Sequence, residues 1–331
     1  MTVYQAKYQA HTNIALIKYW GKRHQELILP MTPSLSLTLE AFYTQTQVEF
    51  SPDFDEDSFE LNNEAQSPQA CEKVSNYLDL FRQLADTDLK AKVKSHNFVP
   101  TAAGLASSAS AFAALACACN AALKLNLDQR QLSIMARRGS GSASRSLYGG
   151  FVEWIKGQGN DSDSSYAQAF DPASWDIAMI AIVVNAQAKK FPSRQAMQHT
   201  IETSPFYALW PQEVAKDLTA IKIAIKDQNI KALGQIAEHN AMKMHATMLA
   251  AQPSFTYFQA ESIQAMNLVK DLRQEGYDVY YTMDAGPNVK LICPYSQSQA
   301  ITQRLSAHFE SGQMIISRPG PQPFALDITE S

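Results

Sequence analysis

Pro100-Thr101-Ala102-Ala103-Gly104-Leu105-Ala106-Ser107-Ser108-Ala109-Ser110 is the stretch on which the fold of this chain turns. The alternation from Lys90 to His96 predicts a strand before it, and an alanine-rich helix follows it. Gly104 and the small side chains around it let the backbone come close to a ligand. The open N–H groups of the helix start, with the Ser107 and Ser108 hydroxyls, make an anion site. An alanine-rich packing helix with a serine cap would use the same residues. A Walker A loop is excluded, because Gly-x-x-x-x-Gly-Lys-Ser/Thr occurs nowhere in the chain. No charge falls between His96 and Lys124, yet Pro100, Gly104, the serines and the many alanines carry too little transfer energy for a spanning helix.

Toward the N-terminus, Thr2 to Gln9 is short and β-like, Asn13 to Trp20 is apolar, and Ser34 to Leu39 alternates as a strand with one buried face. Ser51 to Ala70 is polar and acidic with Asn62-Asn63 as a turn, which predicts a solvated hairpin. Glu72 to Ala85 predicts an amphipathic helix with Val74, Leu78, Leu80 and Phe81 inward. Toward the C-terminus the pattern predicts a helix over Asp128 to Arg138 and a strand over Gly150 to Ile155. A surface loop over Lys156 to Gln168 and a fully buried strand over Ile177 to Val184 come next. Helices are expected over Gln212 to Asp227, Lys231 to Ala250, Ser262 to Gln274 and Ser298 to Phe309. Strands are expected over Tyr277 to Thr282, Val289 to Cys293 and Gln313 to Ser317. This is an α+β order without an internal repeat. The change of character near Asn185 to Arg194 sets two expected domains, 1–187 and 188–331.

The 331 residues suffice for about two domains, and 46% apolar with 18% charged residues can bury a sizeable core, which excludes disorder and coiled coil. A net charge of −4 creates no global field for nucleic acid or an anionic membrane, so any polyanion must be held by a local basic pocket. Cys71, Cys117, Cys119 and Cys293 are too few for a disulfide framework. Met1 to His11 lacks the apolar core of a secretory signal, and the expectation is a cytoplasmic protein with neither a membrane nor a nucleic-acid partner.

Three more polar clusters stand out. Arg138-Gly139-Ser140-Gly141-Ser142-Ala143-Ser144-Arg145-Ser146 sets two guanidiniums among hydroxyls and glycines, and a guanidinium fork matches carboxylate or phosphate oxygens. Lys18-Tyr19-Trp20-Gly21-Lys22-Arg23 brings three cations beside two aromatics, a pattern a solvated strand edge also shows. Met283-Asp284-Ala285-Gly286-Pro287-Asn288 lies between two expected strands and would serve equally as a β-turn. Anion binders from distant parts of the chain combine with one isolated carboxylate, which points to a kinase-like site. No zinc spacing, Rossmann fingerprint or nucleophile elbow competes with it.

Together, Asn13-Ile14-Ala15 through Arg23, Pro100 through Ser108, Gly139-Ser140-Gly141-Ser142-Ala143-x-Arg145-Ser146 and Asp284 through Asn288 resemble the diphosphomevalonate decarboxylase family of the GHMP kinase superfamily. The resemblance implies a two-domain GHMP kinase fold. Its N-terminal domain carries a left-handed βαβ unit, and its C-terminal domain is a ferredoxin-like α/β sandwich. It also implies ATP-dependent decarboxylation of (R)-5-diphosphomevalonate to isopentenyl diphosphate in isoprenoid biosynthesis, with Mg²⁺ and a homodimer. Carried over residue by residue, Asp284 is the catalytic aspartate, Lys18 neutralises charge beside it, and Arg145 with Ser140 and Ser142 holds the substrate carboxylate. Tyr19, Lys22, Ser193 and Arg194 (with Met197 in the same string) bind the diphosphate, and Lys73 is a further cation there. Trp20, Gly21, Gly141, Ala143 and Ser144 complete the substrate-binding strings. Asn97, Pro100, Ala102, Ala103, Gly104, Leu105, Ala106, Ser107 and Ser108 would take ATP, with Ser108 as the Mg²⁺ ligand.

The chain departs from the family pattern at Thr32-Pro33, where Asn is usual before Ser-x-Ser, at Ser144 in place of Cys and at Met283 in place of Phe. The same fold also carries phosphomevalonate decarboxylases and mevalonate 3-kinases. Lys22 and Arg194 favour two phosphates over one, and Lys18, Arg145 and Asp284 together favour decarboxylation over a kinase that stops at phosphorylation. A non-catalytic sensor on this fold would have lost one of those side chains.

Overall fold

In chain order the strands of the first part are β1 (Tyr4–Ile17), β2 (Lys22–His24), β3 (Leu29–Pro30), β4 (Ser34–Ser51), β5 (Ser58–Leu61), β6 (Glu64–Ala65), β7 (Lys90–Phe98), β8 (Phe151–Trp154) and β9 (Ala167–Asp171). Its helices are α1 (Pro68–Ala85), α2 (Ser107–Ala122) and α3 (Gln129–Gly139), with a 3₁₀ turn over Gly141–Leu147. Next come β10 (Ala178–Ile182), α4 (Ser193–Thr203), α5 (Trp210–Lys226), α6 (Ile230–Leu249) and α7 (Ala260–Gln274). The chain closes with β11 (Tyr280–Met283), β12 (Val289–Cys293), α8 (Tyr295–Leu305), β13 (Met314–Ser317) and β14 (Phe324–Leu326). This computed structural model describes residues 4–98, 107–184 and 191–328.

β1 and β4 form the central antiparallel ladder of an eight-stranded sheet with order β14-β1-β4-β7-β5-β6, and β8 joins β4 to β9. Among the described residues, one strand from Tyr4 to Ile17 joins the β-like stretch ending at Gln9 to the first part of the apolar stretch from Asn13. Register shifts between His11 and Asn13 and between Ala15 and Ile17 break the period that a sequence reading follows. β4 runs twelve residues past Leu39, and Thr44 and Thr46 interrupt the apolar face it carries there through Phe42, Val48 and Phe50. Thr44 bonds Ser110 at 2.7 Å and Thr46 bonds Ser95 at 2.9 Å, so these buried polar groups are satisfied. β5 and β7 pair in parallel through the α1 crossover, the βαβ unit of this half, and Asn62-Asn63 turns the β5–β6 hairpin as expected.

The second sheet runs β11-β12-β10-β13. β10 is buried along its whole length: Met179 and Ala181 face one core while Ile180 and Ile182 face another. Helices α1, α2 and α3 cover one face of the first sheet. Helices α4, α5 and α6 fill the space between the two sheets, and α7 and α8 cover the far face of the second. The result is five alternating layers in an α+β chain. Sheet membership changes between Asp171 and Ala178, before the expected boundary at 187/188, and β14 returns to pair with β1. The helix α4 and the short strands β9 and β14 carry little apolar periodicity and were not expected. Among the described residues, no helix is long and apolar enough to cross a membrane.

Candidate active site

β1 leaves the first sheet at Ile17, and the next residue, Lys18, is 1% exposed. Its backbone N–H donates to Asn240 Oδ1 on α6 at 2.8 Å, and Asn240 in turn donates to Asp217 on α5. The Lys18 ammonium donates to the Ala15 carbonyl at 2.6 Å and to Asp284 Oδ1 at 2.7 Å. Burial pulls Lys18 down to about 8 although Asp284 pulls the other way. Asp284 follows the end of β11, and its other oxygen lies 3.4 Å from Lys290 on β12.

Arg145 is buried in the 3₁₀ turn, and three oxygens fix its guanidinium. Nε donates to Asn13 at 3.1 Å and to Ser36 at 3.0 Å, and Nη1 donates to Ser34 at 2.6 Å. Asn13 also donates to the Ser142 carbonyl and to Ser146, which ties β1 to the turn. Among the described residues no carboxylate forms an ion pair with Arg145, and burial lowers it to about 10. Its hydrogen-bond partners are neutral, and the charge of Asp284 acts on it from beyond ion-pair distance.

At the other end, the Tyr19 ring lies 4.7 Å from Trp154, and the Tyr207 hydroxyl donates to the Trp20 carbonyl at 2.9 Å. Gly21 has φ +117°, and a Cβ there would fall 1.8 Å from the Tyr207 oxygen, so only glycine fits. Lys22 starts the β2–β3 hairpin, and burial and then the charge of Arg194 lower it to about 8. Arg194 sits in the first turn of α4.

Lys18, Tyr19, Trp20, Lys22, Ser108, Ser140, Gly141, Ser142, Arg145, Ser193, Arg194, Met197 and Asp284 line one cleft of about 290 Å³ between the two sheets. Lys73 lies in an adjoining cavity that shares Arg194. Burial and then Arg194 lower its ammonium. Ala143 and Ser144 are buried behind the cleft, and the Ser144 hydroxyl donates to the Gly141 carbonyl at 2.8 Å. Asn97 is the second-to-last residue of β7, where its Oδ1 accepts from Thr44. Pro100, Ala102, Ala103, Gly104, Leu105 and Ala106 lie outside the described residues, and Ser107 opens α2. Thr32, Ser144 and Met283, the departures from the family pattern, are buried and do not line the cleft.

Lys290, Asn240, Ser34 and Ser36 join the site without belonging to any of the sequence clusters, and Asn13 takes its role only here, as a partner of Arg145. Lys290 is a lone charge inside an apolar strand, and Asn240 stands in the apolar stripe of α6 beside Ala237, Ala241 and Met244. Both are legible signals. His245, one turn beyond Ala241, is 2% exposed, and burial followed by the Lys18 charge pushes it down to about 3.

Fold and cleft define the class first. Two sheets layered with helices, and a cleft in which cations converge on one carboxylate, define a GHMP-kinase-type enzyme. Residues 10–167 match the family model of the diphosphomevalonate decarboxylase-like N-terminal domain, and residues 179–322 match that of the mevalonate 5-diphosphate decarboxylase C-terminal domain. The diphosphomevalonate decarboxylase mvd1 of Aspergillus fumigatus is 37% identical over 92% of this chain and 81% of its own. The solved mevalonate diphosphate decarboxylase of Staphylococcus aureus superposes with a TM-score of 0.95 at 47% identity, over 98% of this chain and 99% of that one. A solved chain described as MDDEF in complex with MVAPP, AMPPCP and magnesium superposes with a TM-score of 0.94 at 48% identity, over 99% and 100%. The chain belongs to the diphosphomevalonate decarboxylase family.

Proposed function

We propose that this cleft carries out the ATP-dependent decarboxylation of (R)-5-diphosphomevalonate to isopentenyl diphosphate, ADP, phosphate and CO₂. One observation carries the reading: among the described residues, the cleft gathers Lys18, Lys22, Arg145 and Arg194 against one carboxylate, Asp284. Such a site takes a polyanion and keeps one group that can accept a proton. Arg145, held from behind by Asn13, Ser34 and Ser36, presents its charge to the substrate carboxylate beside the Ser140 and Ser142 hydroxyls. Lys22 and Arg194, with Tyr19, Ser193 and Lys73, receive the diphosphate. Asp284 orients the tertiary hydroxyl and takes its proton as the γ-phosphoryl group of ATP passes to that oxygen and its bond to ADP breaks, the electron pair leaving with ADP. The carbon–oxygen bond then breaks with its electron pair on phosphate. The electrons of the bond to the carboxylate carbon form the double bond as CO₂ departs, and Lys18 offsets the charge that moves.

ATP would lie at the start of α2, with Ser107, Ser108 and the loop before them on its phosphates. No three His, Cys, Asp or Glu side chains converge on a metal position among the described residues. The exposed Ser108 hydroxyl, 3.3 Å from that of Ser140, fits a Mg²⁺ that arrives with phosphate oxygens and waters. The ion, when bound, offsets phosphate charge. We also infer a cytoplasmic homodimer from the family resemblance, to be checked by light scattering.

The test is a coupled assay of ADP and CO₂ with mevalonate, its 5-phosphate and its 5-diphosphate. Equal ADP and CO₂ from the diphosphate, with the other two turned over at least tenfold more slowly, is expected. ADP without CO₂, or preference for the monophosphate, would overturn it.

A further inference from the structure

Lys290 is the second residue of β12, flanked by Val289 and Leu291, and is 1% exposed. Its ammonium donates to the Asn288 carbonyl at 3.2 Å and lies 3.4 Å from Asp284 Oδ2, the one carboxylate within ion-pair range among the described residues. Lys18 takes Oδ1 of the same carboxylate from the first sheet. Two ammoniums from different sheets thus hold one carboxylate, one on each oxygen. A buried lysine is costly, and an apolar side chain of similar volume at this position would avoid that cost. The charge therefore needs a reason beyond packing.

We propose that Lys290 is a positioning residue of the reaction: it holds Oδ2 of Asp284 so that the carboxylate keeps its charge and orientation when Lys18 turns to the substrate. This rests on the decarboxylase reading of the cleft. With Lys18 as its sole cationic contact, Asp284 would lose its partner at the moment the phosphoryl group and the carboxylate draw the Lys18 ammonium away. Lys290, anchored on a buried strand and on the Asn288 carbonyl, stays in place. The other groups that face Asp284 among the described residues are Arg145 from the 3₁₀ turn, which adds positive charge, and His245 from α6, which burial keeps neutral.

The proposal fixes the direction of two titrations. Lys290→Met removes a cation from Asp284, which makes its carboxylate easier to protonate and moves the acid limb of the pH–kcat profile up. The same change removes a like charge from Lys18, which is held at about 8 partly by Lys290, and moves the basic limb up. Both limbs should shift upward by about 1 pH unit, with kcat at the old optimum reduced about tenfold and both KM values within about threefold. Lys290→Arg, which keeps the charge, should leave the profile where it was. A profile that falls in height without moving, a change confined to KM, or equal shifts in the Met and Arg variants would overturn the proposal. If Lys290→Met does not fold, as read by thermal unfolding, the Lys290→Gln and Lys290→Arg pair decides by the same comparison. A wild type that releases no CO₂ from (R)-5-diphosphomevalonate overturns the decarboxylase reading and this proposal with it; an active wild type with an unmoved variant profile overturns this proposal alone.

Discussion

Asp284→Asn keeps the shape of the side chain and removes its charge, and the structure says what that charge is holding. It lies 2.7 Å from the Lys18 ammonium and 3.4 Å from that of Lys290. At an effective dielectric of about 20 each attraction is roughly 5–6 kcal/mol, before the desolvation of two buried ammoniums is subtracted. Breaking a buried pair typically costs about 3–5 kcal/mol, and the one-third exposure of Asp284 reduces the expected loss of stability to about 2–3 kcal/mol at pH 6. The loss should depend on pH. Lys18 is already at about 8 with the carboxylate present, and without it the folded state holds its proton less well. Its unfolded value stays near ~10.4, so the unfolded chain binds more protons and the variant gains stability as pH rises. The gap to the wild type is therefore widest at pH 6 and closes toward pH 9. Turnover should fall about 10²–10⁴-fold, as for removal of a general base, while ATP and substrate still bind. Thermal unfolding at pH 6 and pH 9 reads the first effect, and a coupled ADP assay with calorimetric binding reads the second. A variant that keeps more than about a tenth of kcat refutes the role given to Asp284. A stability gap independent of pH refutes the charge argument.

Arg145→Lys keeps the charge but cannot reach Asn13, Ser34 and Ser36 together while facing the substrate, so the rate should fall steeply with near-normal ATP affinity. ADP released in a single turnover without matching CO₂ would mark the stalled intermediate, and a loss confined to ATP binding would move Arg145 to the nucleotide. Lys22→Ala with Arg194→Ala removes two charge-assisted contacts of ~1.5–3 kcal/mol each, so KM for the diphosphate should rise at least about tenfold and a substrate lacking the terminal phosphate should suffer less. Equal losses for both substrates count against the assignment. In the wild type, Lys18 and Lys22 discharge near pH 8, so kcat/KM should fall above that pH; a flat profile to pH 10 would show that neither ammonium acts as a cation in the reaction.

What the sequence determined by itself was local. Strict alternation at Ser34–Leu39, the continuous apolar run at Ile177–Val184 and the amphipathic helix ending at Ala85 are written in the order of side chains, and each forms where expected. The strings around Lys18, Ser140–Arg145 and Asp284 could be read as anion binders because glycine, serine and guanidinium chemistry is a property of neighbours in the chain. Their convergence is not such a property: 266 positions separate Lys18 from Asp284, and only the packing of α6 against both sheets brings them to 2.7 Å. The extent of β4 is hidden because the paired hydroxyls of Thr44 and Thr46 interrupt its apolar face, and that of β1 because bulges break its period. Lys290 and Asn240 gained meaning only from what they meet. A lysine in an apolar strand and an asparagine in an apolar stripe look like exceptions until the fold places a carboxylate beside one and the Lys18 backbone beside the other. A buried polar group is intelligible only with its partner, and partners far apart in sequence are chosen by tertiary structure.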